Sequence, residues 1–188
     1  MMQEKLQFAL IGVIVGFVTN KLYDIAAVSI ERRRIKQGLV HELEAVSFYL
    51  NEFIKLCETK FDQVDSYHDG DFPRKLTTPI SDKYYADICL YLNSSQRTSF
   101  NNIHVMIDEL NNFIDAFFWQ PCKSGTCQDS CKLNLAKHYA ASTDLLFFVK
   151  NHVIYHRYPI INSQIDAELD KSRGKVYEYL GKKGLTLA

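Results

Sequence analysis

Proline and glycine are scarce in this chain, four and eight among 188 residues. So few backbone breakers leave little room for long linkers. Neither sign of charge is in excess, with 22 basic and 22 acidic residues, and duplex nucleic acid is not expected as a partner. The sequence has no nucleophile elbow, no P-loop and no dinucleotide-binding fingerprint. Catalysis is therefore not expected, and neither is a cofactor. Strand-like alternation and internal repeats are also missing, which leaves helices.

What is present is zoned. Residues 1–40 carry six basic and three acidic side chains, residues 41–118 six and thirteen, and residues 119–188 ten and six. The acidic middle reads as solvated helix faces. The basic final third reads either the same way or as a surface offered to an anion.

The first forty residues contain the strongest signal. Residues 6–20 are uncharged, about 22 Å of helix at about 1.5 Å per residue. A hydrocarbon core of about 30 Å asks for about twenty residues. Lys21 can make up the shortfall by snorkelling, with Asp24 three residues on as its ion partner. Nine strongly apolar residues from Leu6 to Val18 favour insertion by roughly 3–5 kcal/mol. One charge at mid-bilayer costs about 2.5–3.5 kcal/mol, and less near an interface. Insertion wins if Lys21 lies near the boundary, and a buried soluble helix is the competing reading. A cleaved signal peptide fits poorly, because "MMQEK" is not net basic and no small-x-small cleavage site follows. Arg32, Arg33, Arg34 and Lys36 follow the apolar run, so the positive-inside rule places the N-terminus outside and the rest in the cytoplasm. Residues 1–34 then form a transmembrane anchor with a basic juxtamembrane segment. Residues 35–188 form a cytosolic helical domain.

Gly12, Gly16, Asn20 and Asp24 recur every fourth residue. The Gly-x-x-x-Gly spacing permits close approach of two membrane helices, and Asn20 and Asp24 are costly against lipid. A single-pass chain has no second span, so the expected packing partner is another copy and the expected state a homo-oligomer.

Beyond the arginines, Ile35, Leu39, Leu43, Val46, Leu50, Phe53 and Cys57 follow a heptad spacing. One long helix is predicted to about Thr59, bent near the arginines. Residues 60–79 form an acidic connection. Thr78 and Pro79 open a short helix ending at Asn93 and Ser94, and Ser94 or Ser95 caps the next. There Phe100, Ile103, Ile107, Leu110, Ile114 and Phe117 repeat at three and four. A loop precedes a helix predicted from about Asp129 to Tyr158. The last is predicted from about Ile160 to Leu180, stopping at Gly181. The fold class is all-α: a single N-terminal transmembrane helix continuing into a small cytosolic helical bundle.

Three clusters carry candidate chemistry. Cys122, Cys127, Cys131 and His138 supply zinc-type ligands with four, three and six residues between them, against about two to four in the usual pairs. Free thiols are the plainer reading, no metal is favoured, and a disulfide would need the opposite topology. Cys57 and Cys89 sit at apolar helical positions and read as core. His152 and His156 have the four-residue spacing of zinc proteases, but Val153 stands where those need glutamate. His138 lies eighteen residues before His156 and is expected on the same helix face. Lys150, His152, Tyr155, His156, Arg157 and Tyr158 put positive charge and aromatic rings together, and Lys171, Arg173 and Lys175 are expected to face them across a hairpin. Phosphates take Lys and Arg while bases stack on tyrosine, so these nine are candidates for a nucleotide-like anion. The plain alternative is an amphipathic helix end whose cations complement its dipole.

The succession of "LIGVIVGFVTN", "ERRRIK" and a compact helical domain with a basic aromatic end resembles the ancillary membrane effectors of type III CRISPR antiviral defence. The resemblance covers the whole chain in architecture and no specific motif. It implies a protein of the bacterial inner membrane, gated by cyclic oligoadenylate, that perturbs or permeabilises the membrane. The rival expectation is a membrane-tethered helical scaffold that docks a protein partner. A zinc-stabilised cysteine module is the third.

Overall fold

A computed structural model of the chain describes residues 2–62, 74–118, 128–158 and 163–187. These form five helices with no strand among the described residues: α1 (Met2–Asp62), α2 (Pro79–Cys89), α3 (Ser94–Phe118), α4 (Gln128–Val153) and α5 (Ser163–Lys182). The chain is all-α.

α1 is an uninterrupted helix of 61 residues, about 90 Å long at about 1.5 Å per residue. No proline interrupts it, and its two parts have different surroundings. Every large apolar side chain from Leu10 to Ile30 is exposed, Val13 at 73% and Ile25 at 66% among them. The rest of the chain does not cover this stretch, so it is not a helix of the chain's own core. By length and composition it is the one helix among the described residues able to cross a membrane. Burial begins at Ile35, which is half-buried. From there Leu39, Leu43, Val46, Leu50, Phe53 and Cys57 are all buried, and Phe61 extends the row. The heptad spacing is thus the inner face of α1.

The remaining helices alternate in direction. α2 runs back along α1, since Ile80 lies against Gly38 and Tyr91, just past its end, meets Arg32. α3 runs parallel to α1. α4 is antiparallel to both: His152 meets Ser99 at one end, and His138 meets Phe113 and Tyr139 meets Glu58 toward the other. α5 turns back along α4, tied by Arg157 to Glu168 and Arg173 to Asp144. α4 sits centrally, with Leu135, Tyr139, Leu145, Phe148, Val149 and Val153 buried. One core joins α1, α3 and α4 around Leu43, Ile103 and Val149, and a second gathers Phe53, Cys57, Tyr139, Val176 and Leu180 at the far end.

Helix ends depart from the sequence expectation in informative ways. α2 begins at Pro79 as expected, but its orphan N–H groups find Glu42 of α1. Ile80 N–H donates to Oε1 at 2.7 Å, Ser81 N–H to Oε2 at 3.0 Å, and the Ser81 hydroxyl to Oε2. α3 is capped by Asn93, not Ser94 or Ser95: Gln96 N–H donates to Asn93 Oδ1 at 2.8 Å and Asn93 N–H to Gln96 Oε1 at 3.0 Å, a reciprocal capping box. α4 stops at Val153, not near Tyr158, because Ile154 and Tyr155 both donate their N–H to the Lys150 carbonyl. α5 runs past Gly181 to Lys182, and Gly184 at φ 72° closes it. Leu185 N–H reaches Leu180 O and Gly184 N–H reaches Gly181 O, the paired bonds of a Schellman end.

Candidate functional site at the near end of the bundle

The end of the bundle from which the uncovered part of α1 emerges is built from three pieces. These are α1 around residues 32–40, the turn between α2 and α3, and the residues following α4. Past Val153 the backbone is tightly folded: Arg157 N–H donates to Asn151 O at 3.0 Å, and His156 and Tyr158 both have positive φ, 49° and 44°. That region disfavours side chains by on the order of 1–2 kcal/mol. Packing offsets the cost, with the Tyr158 ring edge-on to His152 at 5.0 Å. His156 therefore lies beyond the helix. The expectation that His138, His152 and His156 share one helical face is corrected by this early end to α4.

His152 is buried, with Nδ1 2.9 Å from Ser99 Oγ and its ring beside Phe100. Burial pulls its pKa down to about 4, with His156 acting in the same direction. At neutral pH it is an uncharged core residue. Beside it a cleft of about 140 Å3 opens between α1, α3 and the end of α4. Leu39, Leu43 and Phe100 supply apolar wall, and Lys36, Gln96, His156 and Tyr158 supply polar groups. Drug-sized ligands occupy pockets of about 300–1,000 Å3, so this cleft admits only the tip of a larger ligand. Gln96 was not expected here. Its role in the α3 cap was readable from Asn-x-x-Gln, but nothing local places it beside Lys36.

The structure does not gather the nine candidate anion residues into one site. Lys150 is half-buried and turns to Asn51 of α1, Nζ to Oδ1 3.4 Å. Arg157 pairs with Glu168 at 2.7 Å and lies over the Tyr155 ring. Arg173 places Nε and Nη2 each 2.8 Å from Asp144 Oδ2, and the hydrogen bond to that carboxylate raises its pKa. It lines a hollow of about 380 Å3 that also holds Glu109, Asp144 and Asp166, a surrounding that repels phosphate. Lys171 and Lys175 are exposed one turn apart on α5. The hairpin register sets Glu168 opposite Arg157. His152, His156 and Tyr158 alone of the nine line the near-end cleft.

No family model, no curated protein and no solved structure matches this chain.

Gly12, Gly16, Asn20 and Asp24 are exposed on α1, and a Cβ added at either glycine would meet nothing within 4 Å. Of the cysteine group, Cys122, Cys127 and the Cys131 side chain lie outside the described residues. His138 is buried in α4 with its ring edge-on to Phe113, and burial lowers its pKa to about 4. Among the described residues no three His, Cys, Asp or Glu side chains stand close enough to hold a metal. Cys57 is buried at the second core, where desolvation pushes its thiol pKa well up, while Cys89 is half-buried. The expectation for Cys57 as a core residue is met.

Proposed function

We propose that this protein is a single-pass membrane-anchored helical module that acts by position and contact and not by catalysis. Its N-terminus lies outside and its bundle in the cytoplasm, docking a protein partner. One observation carries the reading: the apolar stretch of residues 10–30 is uncovered and continues directly into the helix that organises the core. An uncovered apolar row of this length is unsuited to water, and a bilayer satisfies it at the length available. The four cations that follow, Arg32, Arg33, Arg34 and Lys36, favour the cytoplasmic side. His138 and His152 are buried in packing. Alkaline carbonate extraction of membranes should leave the chain in the pellet, and protease added to intact spheroplasts should spare the bundle. Release by carbonate would end the anchored reading, and cleavage from outside would reverse the orientation.

A second reading keeps the anchor and adds a signal. The near-end cleft joins Lys36 of α1 with His156 and Tyr158, so an anionic group held there would touch the anchor helix itself. In this reading the protein is an oligomeric, cyclic-oligoadenylate-gated effector of antiviral defence. The ligand places one phosphate or base edge in each cleft and shifts the anchors by its differential affinity. Calorimetry on the full chain in detergent with cyclic tri-, tetra- and hexa-adenylate tests it. Binding that weakens at least tenfold in Lys36→Ala supports it, and no heat at high micromolar concentration removes it.

A further inference from the structure

We infer that the near end of the bundle is itself a lipid-binding surface, seated on the anionic headgroup layer of the membrane that the anchor crosses. This rests on the anchored reading above.

Two connections that are remote in sequence bring apolar and aromatic side chains to this end. The α2–α3 turn supplies Leu90, 79% exposed, and Tyr91; the α4 end supplies Ile154, 57% exposed, and Tyr155, 60% exposed. In both places the exposed residues directly after the helix end, Leu90 and Tyr91 after α2 and Ile154 and Tyr155 after α4, are apolar or aromatic where such positions are ordinarily polar. The described segment leading into α2, residues 74–78, instead exposes Arg74, Lys75 and Thr77.

The height of this surface is set by contacts. The Arg32 guanidinium carbon lies 3.8 Å from the Tyr91 ring centroid. Arg32 is two residues past Ile30, about 3 Å along the helix axis. Tyr91 therefore stands within one arginine side chain's reach of the point where the apolar stretch ends. The α4 end is held at a similar level, because His152, Val153, His156 and Tyr158 share a cleft with Lys36, Leu39 and Val40. Tyrosines with basic neighbours are the usual furniture of a membrane–water interface.

Charge selects the lipid. Arg33, Arg34 and Lys36 are exposed with no ion pair to a carboxylate among the described residues. Glu31 and Asp87 are the acidic side chains closest in sequence to these elements and do not match them in number. Juxtamembrane cations bind anionic headgroups additively. A helix alone would leave the bundle free to swing on its stalk. With two apolar tips beside the stalk, the bundle gains further footholds that fix its tilt.

The full chain reconstituted into vesicles of phosphatidylcholine, with or without phosphatidylglycerol, tests this with a lipid photolabelled at the headgroup–acyl boundary and peptide mapping. In phosphatidylglycerol vesicles, peptides containing Leu90 and Tyr91 and those containing Ile154 and Tyr155 should be labelled. Leu90→Glu with Ile154→Glu should cut that labelling at least fivefold without reducing labelling of the anchor peptide. Both positions are exposed, so the exchange removes no core contact, and an unchanged circular dichroism melt verifies it. Labelled anchor with unlabelled tips overturns the docking surface and leaves the anchored reading standing. An unlabelled anchor overturns both. Equal tip labelling in phosphatidylcholine alone overturns the preference for anionic lipid.

Discussion

His152 shows how a neighbourhood along the chain can suggest an anion contact for a side chain that the fold buries. Its place beside Lys150 and Arg157 suggested an anion site, yet its ring lies between Ser99, Phe100 and Tyr158. Buried histidines stay neutral, and that has a pH consequence. The folded pKa of about 4, for His152 and for His138 alike, is below the ordinary value of about 6.5. Between those values the unfolded chain binds more protons, so stability is full above about pH 6.5 and falls as pH drops toward 4. A tenfold difference in proton affinity between the folded and unfolded chain corresponds to about 1.4 kcal/mol, so the two histidines together should cost several kcal/mol by pH 4. In thermal melts from pH 7.5 to 4.5, Tm should hold down to about pH 6.5 and fall below it. The double variant Ser99→Ala with His152→Leu removes donor and acceptor together and should flatten that fall. An unchanged slope would mean that His152 is solvated in the folded state.

Among the elements, α2 is the one least able to stand alone, being eleven residues long, and short isolated helices are marginal in water. Two devices hold it. Gly38 lets Ile80 approach α1, since a Cβ there would sit 3.3 Å from Ile80 Cδ1. Glu42, buried on α1, accepts from the first turn of α2, where the helix dipole favours negative charge. Glu42→Ala should destabilise the bundle by about 2–3 kcal/mol, the usual size for lost charge-assisted hydrogen bonds at a cap. Urea unfolding monitored by circular dichroism measures this. Glu42→Gln should cost less, because its amide oxygen keeps an acceptor. A loss within experimental error in the alanine variant would show that water replaces the carboxylate at no cost.

For the whole molecule, the open question is what covers the stalk. Gly12 and Gly16 face open space, so an approaching helix could lie close along them. Asn20 and Asp24 continue the same slowly turning row and are exposed too. If copies of the chain associate there, Gly12→Leu with Gly16→Leu should lower the molecular mass measured by light scattering in detergent. The bundle's thermal melt should stay unchanged, because neither glycine touches it. A variant of unaltered mass would place any self-association elsewhere.

The one-dimensional pattern determined the helical class and the inner faces of α1 and α3. The rows Leu39 to Cys57 and Phe100 to Ile114 are buried as their spacing implied, because a helix with one covered side must repeat apolar residues every three or four positions. It also determined the long apolar stretch ahead of four cations, since length and composition alone decide that property. α4 was less legible. It is enclosed by α1, α3 and α5, so it buries more than one face and has no clean stripe to read. It ends five residues before the sequence pattern implies, because two N–H groups converge on the Lys150 carbonyl, a bond pattern with no distinctive residue type. The candidate anion cluster was drawn from adjacency along the chain, whereas charge pairing is settled across helices. The α4–α5 register set Glu168 against Arg157 and Asp144 against Arg173. The cap from Glu42 to α2 spans 38 residues of chain, and the near-end surface joins turns more than sixty residues apart. Such contacts depend on which helices pack together, and only the tertiary structure decides that.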